Sequence, residues 1–429
     1  MNVLLDRTRG LLKTGFFHIF GSSVINKIIS FLSSIVLVRI LSKTEYGVFT
    51  YAWNIYSILI LFNGMGIESA VLQLSSEKSG DVEYANRTSN FGTKFGLKFN
   101  FILCGLLLGI GLFAPLKITR SRVLLCALCA LPFFLFFFNM TSSYLRAQKR
   151  NQEYAKLQVV NSALVFLAST CFAFVIREMG LVVGHYIAYV GAVIVGYFVF
   201  HVHLLNGDKG DLGEDTKPLL KISFITMLNN GLSQLMYLID VFVLGIVDPQ
   251  ETILASYKVA TMIPTALGFI PLSMIIYLYP YFAQHKNDKE WCIKRYKQVL
   301  IGLGSVNLFL AAFLFAFAPL IVRIVFGAQY LDAVPVFRVL AINYFFSGTF
   351  RTLSGNLLVT QRKLKFNLGV AIFASSVNIV ADYLLISNLG SIGAAYATML
   401  VVLLTSVLNT VYLIITFRKI PDSNDYIGV

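Results

Sequence analysis

The sequence predicts an all-α integral membrane protein with about twelve transmembrane helices in two six-helix bundles related by an internal repeat, and three observations carry that prediction. Of 429 residues, 57% are hydrophobic and 13% charged, with a mean hydropathy of +0.74, too apolar for a soluble globule that must present polar side chains to water. Apolar stretches long enough for a hydrocarbon core of about 30 Å recur along the whole chain, broken by short polar clusters. Short motifs in the first half return in the same order in the second half.

The first span is expected near residues 15–38 and the second near 49–72, divided by the polar cluster around "SKTEYG". A polar stretch precedes the third, 95–115, and "LKITRSR" separates it from the fourth, 122–144. The fifth and sixth, 156–176 and 181–204, meet at "EMGLVVG", where closely spaced glycines suit a tight turn. Residues 205–221, "LNGDKGDLGEDTKPLLK", form the one clear boundary, rich in Gly, Asp and Glu, with Pro218 opening the next helix. Six further spans follow near 219–246, 253–282, 298–325, 335–358, 367–387 and 391–417. Because backbone groups in lipid must be paired within their own segment, spans of this length are helices. The expected organisation is an N-terminal bundle over 1–204, a cytoplasmic linker over 205–221 and a C-terminal bundle over 222–429.

Charge sets the orientation. With an even number of spans both termini share a side, and the segments on that side carry roughly 24 of the 35 Lys and Arg, against about 8 in the opposite loops and the span ends beside them. Both termini are therefore expected in the cytoplasm. The net charge of +14 follows from this bias and from contact with anionic headgroups; its scatter over separate loops does not suit nucleic acid. No cleavable signal peptide is expected in "MNVLLDRTRGLLKTGFF", whose short apolar run is flanked by charge on both sides. Cys126 and Cys129 form a CxxC inside "LLCALCALPFF", an apolar setting in which they read as small filler, and no metal site is expected.

The repeat rests on several matches. "LRAQKRNQEYAKL" after the fourth span corresponds to "LVTQRKLKFNLGV" after the tenth, aligning Gln148 with Gln361. "EMGLVVGHYIAYV" corresponds to "NLGSIGAAYATML", and Gly47, Phe49 and Ala52 correspond to Ala255, Tyr257 and Ala260. Parallel repeats of this kind are a transporter plan in which the substrate site lies near the bilayer midplane and the halves rock to give alternating access.

Polar stripes nominate the functional residues. In the first span Ser23, Asn26, Lys27, Ser30 and Ser34 recur at helical spacing, and in the seventh Ser223, Thr226, Asn230, Ser233, Tyr237 and Asp240 do the same. Shorter stripes hold Asn54, Ser57, Gly64 and Glu68, then Asn343, Ser347, Arg351 and Ser354, then Ser375, Asn378 and Asp382. Uncharged stripes commonly serve helix packing. A charge at mid-membrane costs about 2.5–3.5 kcal/mol even on the mildest scale and usually marks a substrate or ion path, which singles out Lys27 and Arg351. The bland alternative pairs each with a carboxylate such as Glu68 or Asp382. A negative group about 4 Å away at an effective dielectric of about 20 returns about 4 kcal/mol, so an anionic cargo group such as a diphosphate offsets the cost.

"FLSSIVLVRILSKTEYGVFTYAWNIYSILILFNGMGIESAVLQ" resembles the first two spans of bacterial polysaccharide exporters, and "SSYLRAQKRNQEYAKLQVV" and "NLGSIGAAYATMLVVLLTSVLN" are similar to two later junctions of the same proteins. The likeness, which covers nearly the whole chain, is to Wzx-type O-antigen flippases of the multidrug/oligosaccharidyl-lipid/polysaccharide (MOP) exporter superfamily. It implies two lobes, a cationic central cavity and movement of an undecaprenyl-diphosphate-linked oligosaccharide from the cytoplasmic to the periplasmic leaflet of the bacterial inner membrane. On that reading Lys27 and Arg351 meet the diphosphate, Asn230, Asn54 and Asn343 are candidates for the glycan, and Asp240, Asp382 and Glu68 are candidates for coupling to H+ or Na+. A polysaccharide polymerase and a chain-length regulator are candidate partners, with membrane lipid. The competing readings are a multidrug or cation extruder of the same superfamily, a flippase for a peptidoglycan precursor, and a membrane glycosyltransferase or polymerase. Outward loops of about ten residues leave an enzyme little room, and no phosphate-binding GxxxxGK[ST] or HExxH occurs.

Overall fold

The computed structural model describes residues 16–78, 81–205 and 212–421, except the side chains of 16–20, 229, 232, 233, 236, 237 and 280. The described secondary structure is helical throughout. Ten helices among the described residues are long and apolar enough to cross a membrane, and a pair bent by 46° makes an eleventh. The expected seventh span falls on one further long helix, Thr216–Val247, several of whose side chains lie outside the description.

The N-terminal spans are α1 (Phe16–Ile40); α2 (Lys43–Leu59) joined by a 3₁₀ turn to α3 (Ile67–Glu77); α4 (Val82–Phe113); the bent pair α5 (Ser121–Leu128) and α6 (Leu131–Ala147); α7 (Asn151–Ile176); and α8 (Glu178–Phe198). After α9 (Thr216–Val247) come α10 (Glu251–Leu267) with α11 (Phe269–Gln284); α12 (Lys289–Ala316); the short α13 (Ala318–Val325); α14 (Val334–Phe346), a π turn (Ser347–Arg351) and α15 (Thr352–Thr360) as one span; α16 (Leu364–Leu389); and α17 (Ser391–Arg418).

The chain divides into two compact units, Met1–Leu235 and Met236–Val429. The division falls inside α9, downstream of the 205–221 boundary read from the sequence, whose residues 206–211 lie outside the description. The first half of α9 is built into the N-terminal unit: Leu219 joins its buried core with Phe136, Met140 and Ile67, and Ser223 Oγ donates to the Met65 carbonyl at 2.5 Å. In the C-terminal unit the core gathers Phe282, Tyr296, Leu353, Leu357 and Phe417.

The repeat is visible in backbone geometry. Asp81 and Asp288 cap the third helix of each half, accepting from the Tyr84 and Trp291 amides at 2.8 and 2.9 Å. The turn after the fourth span carries left-handed Lys149 (φ 56°) and its counterpart Arg362 (φ 58°). The turn between the last two spans carries Arg177 (φ 53°, ψ −130°) and Gly390 (φ 61°, ψ −141°). Three residues on, a Cβ on Gly180 would lie 2.3 Å from the Phe172 backbone, and one on Gly393 would lie 2.1 Å from the Leu385 carbonyl. Each hairpin is therefore closed by a glycine that allows two helix backbones to touch.

Several expected spans are interrupted. In the second, Gly64, Met65 and Gly66 all adopt positive φ, ending α2 and restarting the helix at Ile67. A Cβ on Gly64 would sit 2.4 Å from the Phe136 ring, and the freed Gly64 amide donates to Asn100 Oδ1 at 3.0 Å. Asn100 also donates to Asn63 Oδ1 at 2.9 Å. In the C-terminal unit Asn307, at the matching place on α12, donates to Thr349 Oγ1 at 3.1 Å and accepts from Tyr344 at 2.8 Å beside the π turn. Each half thus places a buried asparagine against a helix irregularity, satisfying polar groups that lipid would leave unpaired.

Candidate functional site

The nominated residues of the N-terminal unit differ in their surroundings. Lys27 stands exposed on α1, on a side where Ile28 and Leu32 are uncovered as well. Among the described side chains of that helix the buried ones are Ser22, Ser33, Leu37 and Val38. Asn54 is buried on α2, whereas Asn230 is exposed on α9. The stripe residues Ser233 and Tyr237 lie outside the description, and Ser223 spends its hydroxyl on the Met65 carbonyl, a packing role. Glu68 occupies the first turn of α3, directly after the left-handed Gly64–Gly66 run, with its Oε2 buried and without a hydrogen-bond partner among the described residues. A negative side chain is favoured there because the first-turn amides of α3 leave positive potential at its N-terminus. Gly66 is required for this arrangement: a Cβ would meet the Ser223 carbonyl at 2.9 Å.

The C-terminal unit does bring nominated residues together. Asp240 on α9 and Asp382 on α16 are both buried, and a single amide joins them: Asn378 Nδ2 donates to Asp240 Oδ1 at 3.1 Å and to Asp382 Oδ2 at 2.7 Å. Asp240 Oδ2 also accepts from Tyr257 at 2.7 Å and from Thr398 at 2.6 Å. Asp382 Oδ1 is buried with no hydrogen-bond partner among the described residues. One carboxylate is thus held by three donors and the other keeps an oxygen open, an arrangement that a small cation or a proton completes.

Helical spacing explains part of this. Asn378 and Asp382 are one turn apart on α16 and so share a face. Tyr257 and Thr398 arrive from α10 and α17 and were not nominated, since a lone Tyr or Thr in an apolar run carries no signal of its own. The N-terminal unit lacks the cluster. At the repeat separation shown by Arg177 and Gly390, the counterparts of Asn378, Asp382 and Thr398 are Val165, Ser169 and His185. His185 accordingly packs among aromatic rings, 4.3 Å from Trp53.

Asn343 and Arg351 both belong to the tenth span. Asn343 Oδ1 is buried and without a hydrogen-bond partner among the described residues, and Arg351 closes the π turn, half-buried. An extra residue in that turn shifts the register of the helix below it, a recurrent feature at functional positions. Lys258 on α10 is an exposed intramembrane cation that the stripes passed over. As for the cysteines, Cys126 lies against the backbone of α4, where a Cβ on Gly111 would come within 2.6 Å of its sulfur.

Comparison with known proteins places this architecture. The first is a multidrug resistance transporter of the MATE family in an inward-facing conformation, with a TM-score of 0.77, 15% identity, and coverage of 92% of this chain and 95% of that one. The lipid II flippase MurJ in an inward closed conformation gives 0.70 at 15% identity, over 94% of this chain and 89% of that one. A MOP-superfamily transporter from Pyrococcus furiosus, described as having a binding pocket of reverse polarity, gives 0.64 at 16% identity, over 95% and 96%. At these identities the likeness speaks for the fold. No curated protein matches the sequence. The family model described as "Polysaccharide biosynthesis protein" matches residues 36–335. The chain, built on the fold of MOP-superfamily transporters, belongs to the polysaccharide biosynthesis protein family, in keeping with its likeness to Wzx-type exporters.

Proposed function

We propose that this protein is a flippase that carries an undecaprenyl-diphosphate-linked oligosaccharide across the bacterial inner membrane, from the cytoplasmic to the periplasmic leaflet, by alternating access. The match of most of the chain to the polysaccharide biosynthesis family carries the reading, since a transporter fold within that family implies a sugar-bearing, lipid-linked cargo. Lys27 and Arg351 receive the diphosphate. Both are cations within spans, a placement that commonly marks a substrate path, and a phosphate within about 4 Å attracts a cation by about 4 kcal/mol at an effective dielectric of about 20. Asn54, Asn230 and Asn343 supply amides for the glycan, with Asn343 Oδ1 ready to accept from a hydroxyl.

Asp240 and Asp382 couple transport to H+ or Na+. Support comes from the open Asp382 oxygen beside a fully bonded second carboxylate, a pair that binding of one positive charge relieves. Glu68, at the start of α3 with its Oε2 buried and unpartnered among the described residues, is a further coupling candidate.

Complementation tests the reading. In a host whose own O-antigen flippase is deleted, the wild-type gene is expected to restore surface polysaccharide, and Lys27→Ala and Arg351→Ala to lower it at least tenfold at equal membrane abundance, with Lys27→Arg retaining more than Lys27→Ala. Restored resistance to cationic drugs without restored polysaccharide would select the extruder reading instead.

A further inference from the structure

The C-terminal unit carries a cavity that transport, as proposed, leaves unused. It has a volume of about 490 Å3 and opens where the loop after α11, the turn between α15 and α16, and the end of α17 converge. Lys286, Lys363 and Lys419 come to it from those three segments, together with Gln361. Its apolar wall is formed by Tyr412 and Ile415 of α17, the latter 42% exposed. No carboxylate lines the cavity among the described residues.

Two features point to an anionic partner missing among the described residues of the cavity. Gln361 Nε2 is buried and has no hydrogen-bond partner among the described residues, an amide donor left open at a cost of about 1–3 kcal/mol. The second is a contrast with the equivalent turn of the N-terminal half. There Arg150, the counterpart of Lys363, is bonded by Glu153 and by the Phe200 carbonyl at 2.6 Å. The counterpart of Glu153, at the same repeat separation, is Phe366, which stacks on Tyr412 at 3.8 Å. Thus the acidic residue that neutralises the N-terminal turn is replaced by an aromatic side wall in the C-terminal turn, and no acid among the described lining residues answers the cations.

Three ammonium groups and one amide donor, with no acid among the described lining residues, fit a group rich in acceptors with multiple negative charge, which is a phosphate. The apolar wall at the end of a membrane span fits the first methylenes of an acyl glycerol. We propose that this cavity is a binding site for the phosphate of an anionic phospholipid headgroup, seated on Lys286, Lys363, Lys419 and Gln361 with its glycerol and upper chains along Tyr412 and Ile415. The site is separate from the cargo residues and is defined without reference to transport, so its failure would leave the flippase reading intact.

The test uses the purified full-length protein in detergent, titrated with phosphatidylglycerol and followed by native mass spectrometry and by thermal unfolding. Retention of phosphatidylglycerol over phosphatidylcholine and a rise in unfolding temperature are expected for the wild type. Lys363→Gln or Lys419→Gln should each weaken phosphatidylglycerol binding about fivefold, and the triple variant with Lys286→Gln about a hundredfold. Gln361→Glu, which puts an acid in the cavity, should weaken it as well, while Lys156→Gln on α7 should leave it unchanged. Inorganic phosphate that reproduces the stabilisation at millimolar concentration would reassign the site to a free ion and overturn the lipid assignment. Equal phosphatidylglycerol retention by the wild type and a folded triple variant would overturn the site altogether.

Discussion

At the scale of single residues, the proposed coupling rests on a buried carboxylate whose surroundings do not fully satisfy it. Asp240 is bonded on both oxygens, whereas Asp382 Oδ1 is buried with no hydrogen-bond partner among the described residues, so on the proposed reading Asp382 is the residue that answers an arriving cation. Asp382→Asn should keep the size and remove the charge. We expect surface polysaccharide to fall at least tenfold while membrane abundance stays within a factor of two, and we expect transport by the variant to lose its dependence on the pH or sodium gradient. Transport by Asp382→Asn that still rises and falls with the gradient would remove this residue from coupling. Outside the spans, Lys78 Nζ bonds Asp215 Oδ2 at 2.7 Å, holding the Asp215 carboxyl below, and the Lys78 ammonium above, its ordinary range. A depressed carboxyl contributes above its unfolded value, about 3.9, and loses that contribution as pH falls through its lower folded value; a raised ammonium contributes at neutral pH and loses it at high pH. Asp215→Asn should therefore speed amide exchange over 212–216 at pH 7, while the two proteins exchange alike once the pH has fallen far enough below the ordinary carboxylate range to protonate the wild-type group.

At the scale of elements, the halves are linked to their chemistry by where helices break. Both Gly180 and Gly393 close a helix hairpin at a backbone approach that excludes a Cβ, and neither neighbour can yield because it is main chain. Gly180→Ala and Gly393→Ala should each cost about 1–3 kcal/mol, lowering the unfolding temperature in detergent. Alanine tolerated at both positions without a shift would mean that the hairpins are looser than described. The Gly64–Gly66 break was legible only in part. A hydropathy window averages "LFNGMGIES" into its apolar surroundings, so the second span reads as continuous, although Asn-Gly is a turn signal in any soluble chain. What the sequence does not display is the partner: Gly64 needs Asn100 from α4 to accept its amide and space beside Phe136 from α6, and both are long-range facts. The same holds for the π turn ending at Arg351, whose extra residue leaves no mark in composition.

At the scale of the whole molecule, the sequence states the fold class and the internal repeat because both follow from local chemistry: a bilayer imposes span length, and duplicated turns keep their capping and glycine residues. Gln148 and Gln361 sit in turns of matching backbone geometry. Asp240 and Asp382 were each legible as intramembrane charges, but not as a pair, since Asn378 joins helices far apart in sequence and Tyr257 and Thr398 sit in runs with no polar period. Lys258 escaped notice because it lacks a stripe. The division between units was drawn at the polar linker because composition changes there, whereas packing carries the first half of α9 with the N-terminal unit.

The cargo assignment is tested most directly in vesicles. Purified protein is reconstituted with an undecaprenyl-diphosphate-linked oligosaccharide distributed over both leaflets, an ion gradient is applied, and the fraction of glycan open to an externally added glycosidase is followed in time. The account predicts that wild type carries the protected inner pool outward until nearly all is cleaved, and that Lys27→Ala and Arg351→Ala leave it as protected as in protein-free vesicles. A wild type that leaves the inner pool untouched under either a proton or a sodium gradient, while moving a cationic drug, would contradict it.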